Sequence, residues 1–240
     1  GHRYEPLSIT HYEKDFNTIV GEFGCIRHQT HKFLRASPDG INIDPKNPRY
    51  GRLVEVKNPT SREIDGIPEK AYWVQMQLQM EVWDLEECDF LETTFKEYET
   101  EEEFRNDGET FTHRENSMRK GIIVQFFHNS KPHYEYPAVD ISEKEFDNWY
   151  DEILEQNKEM TYIKNIYWYL KDYSCILVPR NRKWFNHVFP KLQHLWNTVL
   201  QERETGYEHR RPKKKNKKIT KSEAENIVIK VRTESFSESN

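Results

Sequence analysis

Two carboxylates and one ammonium, those of Asp39, Glu55 and Lys57, fall within one short stretch of this 240-residue chain. That set suits a Mg²⁺ site, because Mg²⁺ takes hard oxygen ligands and keeps several of its waters, so two acidic side chains can hold it beside a phosphate. Lys57 would then orient or deprotonate an attacking water, and the chemistry implied is phosphodiester hydrolysis.

The elements that must position these groups are legible around them. Ser37-Pro38-Asp39-Gly40 has turn chemistry, and Leu53-Val54-Glu55-Val56-Lys57 is β-branched enough to be a strand. Strand side chains alternate, so Glu55 and Lys57 leave by one face while Val54 and Val56 leave by the other, toward a core. Asp39 arrives on the preceding turn or strand. The Pro/Asn segment Asp44 to Tyr50 lengthens the interval without moving the strand ends.

With its flanks, this block resembles the lambda exonuclease, or YqaJ-type, branch of the PD-(D/E)XK nucleases. The family's Ser-Pro-Asp-Gly and its Glu-x-Lys followed by proline stand here as Ser37 to Gly40 and Glu55-Val56-Lys57-Asn58-Pro59. Its Gly-x-x-x-Glu-Pro helix start is matched by Gly1 to Pro6, with Tyr12-Glu13 following. Its Tyr-x-x-Gln-x-Gln helix is matched by Tyr72 to Gln77, and Met80 falls where the family often has one. The resemblance covers roughly residues 1 to 140.

What it implies is a mixed α/β sheet with helices on both sides. Asp39 and Glu55 would bind Mg²⁺, or Mn²⁺ in its place, with the Val56 carbonyl as a third oxygen, and Glu5 would help hold a second ion or its waters. Lys57 would position the nucleophile, and Gln75 would fix the lysine or the scissile phosphate. Ser37, Arg62 and Tyr72 would contact the DNA. The implied activity is 5′-to-3′ degradation of double-stranded DNA in recombination or repair, leaving single strands for an annealing protein. Ring-shaped trimers occur in the lambda branch. A flap or nick endonuclease is the nearest alternative, and a non-catalytic DNA-binding subunit of a replication complex is another, against which the intact acid, acid, lysine set argues.

Composition sets bounds. Only 35% of residues are apolar but 13% are aromatic, so the core should lean on Phe, Tyr and Trp. With a mean hydropathy of −1.00 and no apolar run near 18 residues, no membrane span is expected. Cys25, Cys88 and Cys175 are too far apart for zinc-type spacing or a disulfide framework, which fits a reducing compartment such as cytosol, nucleus or a viral replication site, and not secretion. The chain starts at Gly1 with no methionine, from which an upstream segment is expected. Residues 209–240 carry a net +6, while residues 1–208 carry −11. The acidic body speaks against broad, non-specific DNA affinity.

Three regions are expected: a nuclease core over 1–140, an aromatic-rich and mainly helical extension over 141–208, and a basic, mobile tail over 209–240. In the core, Pro6 to about Val20 should be helical, with Glu5 either a first-turn acid favoured by the helix dipole or a metal-site residue. Gly21–Ile26 and Leu34–Ile43 should pair as strands. His28 and His31 sit in the loop between them without a third zinc ligand. A helix from Glu69 to Leu85 should carry Tyr72, Gln75 and Gln79 on one stripe and Met76, Met80 and Trp83 on the next. A strand Cys88–Thr94, an acidic solvated insertion Glu97–Glu109 and a hairpin across Asn129 to Pro132 complete it. In the extension, Ser142 and Glu145 have capping-box spacing. Beyond them lie a short strand Tyr173–Val178, a helical region Asn181–Glu204, and Trp168, Trp184, Phe185, Phe189 and Trp196 as packing residues. The basic run from Arg210 could serve as a nucleic-acid arm or a nuclear-import signal.

Overall fold

The computed structural model describes residues 3–211. In chain order its elements are α1 (Glu5–Phe16), β1 (Val20–Gly21), β2 (Ile26–Arg27), β3 (Arg35–Ala36), β4 (Gly40–Asn42), β5 (Leu53–Lys57), α2 (Lys70–Trp83), β6 (Glu87–Glu97), α3 (Glu101–Asn106), β7 (Lys120–His128), β8 (Lys131–Glu135), α4 (Glu143–Gln156), β9 (Thr161–Pro179) and α5 (Arg182–Thr205). A seven-stranded sheet runs in the order β1-β4-β5-β6-β9-β7-β8, with β2 and β3 as a separate pair. Within it β5 and β6 are parallel and every other pairing is antiparallel, so the sheet is mixed as expected. Parallel neighbours need a crossover, and α2 supplies it.

Alternation along β5 decides what covers each face. Val54 and Val56 pack with Tyr12 of α1 and Leu91 of β6, whereas Leu53 packs with Met76 and Met80 of α2 and with Cys88 and Phe90. Helices α1 and α2 therefore lie on opposite faces. Further along the sheet Ile123 joins Leu7 of α1, while Ile122, Val124 and Phe126 meet Phe104, Phe146 and Ile153 of α3 and α4.

Local signals hold well. Ser142 and Glu145 form a reciprocal capping box at the start of α4. The β7–β8 hairpin turns on Asn129 and Ser130, both at positive φ (48° and 61°), the pair of values a tight two-residue hairpin turn requires.

Two expectations are corrected. The strand expected at Tyr173–Val178 is present but is only the end of a longer one: residues 161–179, placed in a mainly helical extension, form a single strand, β9, in the interior of the sheet. It pairs with β6 from Trp168 to Pro179 and with β7 from Thr161 to Tyr169. Its charged Lys171-Asp172 step interrupts the apolar pattern, and the register shift at Thr94/Phe95 takes up that step as a bulge. The acidic stretch 97–109 is not simply solvated. Thr100 caps α3 by accepting from the Glu103 N–H at 3.1 Å, and Phe104, 1% exposed, anchors the helix on β7.

The described residues divide into two compact units at Pro190/Lys191. In the first, the opening turns of α5 place Phe185 in a buried position and Trp184 edge-on to Trp73 at 5.1 Å, a packing role for both as expected. In the second, α5 continues to Thr205, and Arg210 pairs with Glu202 at 2.7 Å. The basic run beyond Arg211 and the glycine of the Gly-x-x-x-Glu-Pro motif lie outside the described residues.

Candidate active site

The site forms where β4 begins, at Gly40, and β5 runs on past it. Gly40 pairs with Val54, so β5 beyond that point has no strand on its β4 side, and the backbone N–H of Val56 would go unpaired. Asp39 takes that role: its carboxylate accepts from Val56 N at 2.7 Å. No side chain is tolerated at residue 40, because a Cβ there would sit 2.2 Å from a Val20 methyl, and this glycine lets β1 and β4 close up and bring Asp39 in.

Glu55 and Lys57 point to the α2 side, as the alternation requires. Glu55 is fully buried, and its carboxylate accepts from Lys57 Nζ, from Gln75 Nε2 at 2.6 Å and from Gln79 Nε2 at 2.7 Å. A buried carboxylate is tolerable only when paired and hydrogen-bonded, and here one ammonium and two amides meet that need. Tyr72, Gln75 and Gln79 share one stripe of α2. The Tyr72 ring carries the Lys57 ammonium at 4.9 Å from its centroid, a cation–π contact.

Asp39 is electrostatically loaded. Burial pushes its carboxyl up to about 6, and the neighbouring charges of Glu55 and Glu5 add to the rise against the Val56 N–H and Lys57. Glu5, in the first turn of α1, lines the same cleft as Asp39, together with Glu13 and Glu22. It is not gathered with the other two acids into one ligand set; among the described residues no three His, Cys, Asp or Glu side chains are. His28 and His31 hold their own loop instead, His28 Nδ1 accepting from the N–H groups of Thr30 and His31 at 3.1 Å.

The remaining sequence-derived residues are placed less centrally. Arg62 pairs with Glu92 and, at 3.0 Å, with Glu69, and lies 6.0 Å from the Tyr72 centroid. Ser37 donates its hydroxyl to the Phe23 carbonyl at 3.2 Å, and its own carbonyl accepts from Gln79 at 3.3 Å. Sequence reasoning put Gln79 on the right stripe but gave it no role. Its seven-residue spacing from Tyr72 was the available signal, since that places both on one face. Glu92 gave no signal at all: it lies beside Lys57 only through the β5–β6 register.

Residues 1–96 match the model of the YqaJ-like viral recombinase domain. The uncharacterized protein R354 of Acanthamoeba polyphaga mimivirus is 32% identical over 235 residues, covering 83% of this chain and 43% of that protein. The chain thus spans less than half the length of this curated relative. Among solved structures, the alkaline exonuclease LHK-Exo of Laribacter hongkongensis aligns with a TM-score of 0.48 and 18% identity, covering 85% of this chain and 69% of that one. Its complex with dAMP aligns at a TM-score of 0.45. No helix among the described residues is long and apolar enough to cross a membrane.

Proposed function

We propose, from the match of residues 1–96 to the YqaJ-like viral recombinase domain, that the chain is a metal-dependent deoxyribonuclease, a 5′-to-3′ exonuclease on double-stranded DNA serving recombination. The observation that carries this reading is the fully buried Glu55 carboxylate, held by Lys57, Gln75 and Gln79 next to an Asp39 whose acidity is weakened by burial and by its carboxylate neighbours.

The donor set fits Mg²⁺ or Mn²⁺: only oxygen ligands are offered, and the crowding of negative charge at Asp39 is what a dication relieves. Asp39 and Glu55 would hold the ion. The Val56 carbonyl would join them, since a strand residue turns its N–H and C=O to the same edge and the Val56 N–H already meets Asp39. Glu5 would hold a second ion or its waters. Bound there, such ions supply charge stabilisation to the attacking and leaving oxygens of an in-line displacement.

The chain's own groups do the rest. Lys57, steadied over Tyr72, positions the water and takes or shares its proton. Gln75 and Gln79 fix Glu55, and the same amide of Gln75 can steady the phosphate. Tyr72, Arg62 and Ser37 line the approach for the DNA backbone. A single-strand annealing protein would receive the product, and the trimeric assembly of the lambda branch is the oligomer proposed. Linear and circular plasmid, with and without Mg²⁺ and labelled at each terminus, test the reading. Loss of linear DNA from its 5′ ends with circular DNA intact is expected; nicking of the circle would make the chain an endonuclease, and no Mg²⁺-dependent cleavage of either would overturn the proposal.

A further inference from the structure

Beside Lys57 lies a buried carboxylate that the mechanism above does not use. Glu92 is the register partner of Lys57 on the parallel strand β6, and it points to the same face, because Cys88 and Phe90, its even-numbered neighbours, pack against α2. It is 0% exposed. One of its oxygens accepts from Arg62 Nη2; the other, Oε2, is buried and has no partner. A buried carboxylate oxygen without a donor is costly and rarely retained without a use.

A donor on the neighbouring strand, in register with Glu92, is the Lys57 ammonium. It has three N–H groups and occupies Glu55 with one hydrogen bond. Register neighbours on adjacent strands stand about 4.8 Å apart, so the side chain can pass from Glu55 to Glu92 by changing rotamers alone. Glu55 cannot serve both a cation and the ammonium equally well. Lys57, Arg62 and Tyr72 already cluster at this spot, with both cations near the Tyr72 ring.

The geometry points to Glu92 as a positioning residue for Lys57: once Glu55 is engaged by a divalent cation, the Lys57 ammonium moves onto Glu92 Oε2 and is held there, turned toward the water it activates. Arg62, on the other oxygen, fixes the Glu92 carboxylate so that its free oxygen faces the lysine. This rests on the metal-dependent nuclease reading of the same site.

Two measurements test it. A crystal structure of the chain with Ca²⁺, which needs no variant, should show Lys57 Nζ within about 3.2 Å of Glu92 Oε2 and withdrawn from Glu55. Lys57 still on Glu55, or Oε2 taken by Arg62 or by the equally unpartnered hydroxyl of Thr94, overturns the idea. In single-turnover cleavage of a DNA duplex at saturating protein, Glu92→Gln should lower the rate by about tenfold or more, as loss of an orienting partner does, while the DNA Kd changes less than about threefold. Glu92→Asp should recover part of that rate. Equal losses in rate and affinity, or no loss, would leave Glu92 a packing residue. A wild-type chain lacking Mg²⁺-dependent cleavage would instead defeat the nuclease reading, and the lysine shift on Ca²⁺ would still be read on its own.

Discussion

The Asp39 carboxylate accepts a hydrogen bond from the Val56 backbone N–H at 2.7 Å, tying the start of β4 to the residue between Glu55 and Lys57. One contact thus sets the distance between the two acids on which the proposed chemistry depends. It also holds Asp39 where burial, Glu55 and Glu5 oppose its ionisation.

That opposition has a pH signature. The folded-state value near 6 lies above the ordinary 3.8, so the folded chain keeps a proton that the unfolded chain has lost. The resulting stabilisation is full below about pH 4 and is lost as pH rises through about 6. Metal-free wild type should therefore lose Tm relative to Asp39→Asn as pH rises from about 4.5 to about 7. Added Mg²⁺ should restore it at pH 7 and not at pH 4.5, roughly, since the proton competes with the ion. Parallel Tm curves for the two proteins, without metal, would refute this. Comparing the two also cancels buried His11, whose value is depressed to about 3 by burial and Arg119 and whose contribution runs the opposite way, lost as pH falls.

Asp39→Ala and Glu55→Ala should each abolish cleavage while the fold survives. Glu55→Ala leaves Gln75, Gln79 and Lys57 without their acceptor and should cost about 1–3 kcal/mol of stability besides. Circular dichroism with a plasmid assay checks both, and near-normal turnover in either would remove the residue from the site.

Lys57→Met should lower the single-turnover rate by at least about 10² through lost positioning and charge, with DNA affinity changed far less. If affinity falls and the rate does not, Lys57 is a phosphate contact.

Gln79→Met keeps the volume of a buried side chain and removes only its amide from Glu55 and from the Ser37 carbonyl. Metal affinity, measured calorimetrically with Ca²⁺, should weaken by about tenfold or more, as for other groups that orient a ligand. An unchanged affinity would make Gln79 a packing residue.

On the opposite face, Asp89 is 1% exposed and receives Tyr12 Oη at 2.6 Å together with the guanidinium groups of Arg49 and Arg52. Asp89→Asn should strand the partly buried Arg49, while Arg52 keeps its ion pair with Glu87 at 2.8 Å, and should cost about 3–5 kcal/mol in urea denaturation with cleavage intact. A cost within about 0.5 kcal/mol would show that the network contributes no stability.

The sequence by itself determined whatever depends on near neighbours. The opposed faces of Glu55/Lys57 and Val54/Val56, the Tyr72/Gln75/Gln79 stripe and the Ser142/Glu145 cap each follow from residues two to seven positions apart, and each is found where the spacing puts it, whereas the turn expected at Pro38-Asp39-Gly40 is a bend at Asp39 that leads straight into β4. What only the tertiary structure decided are the pairings between distant segments. Strand β9 joins Asp172 to Thr94 and Asn165 to Val124, and although Tyr173–Val178 reads locally as a strand, no local pattern shows that residues 161–179 form one strand inside the sheet. The β5–β6 register alone puts Glu92 beside Lys57, and the late start of β4, at Gly40, alone leaves the Val56 N–H to Asp39. A strand's partners are chosen by packing over the whole sheet, whereas its side-chain alternation is fixed by its own backbone, and so the catalytic types were legible before the contacts that orient them.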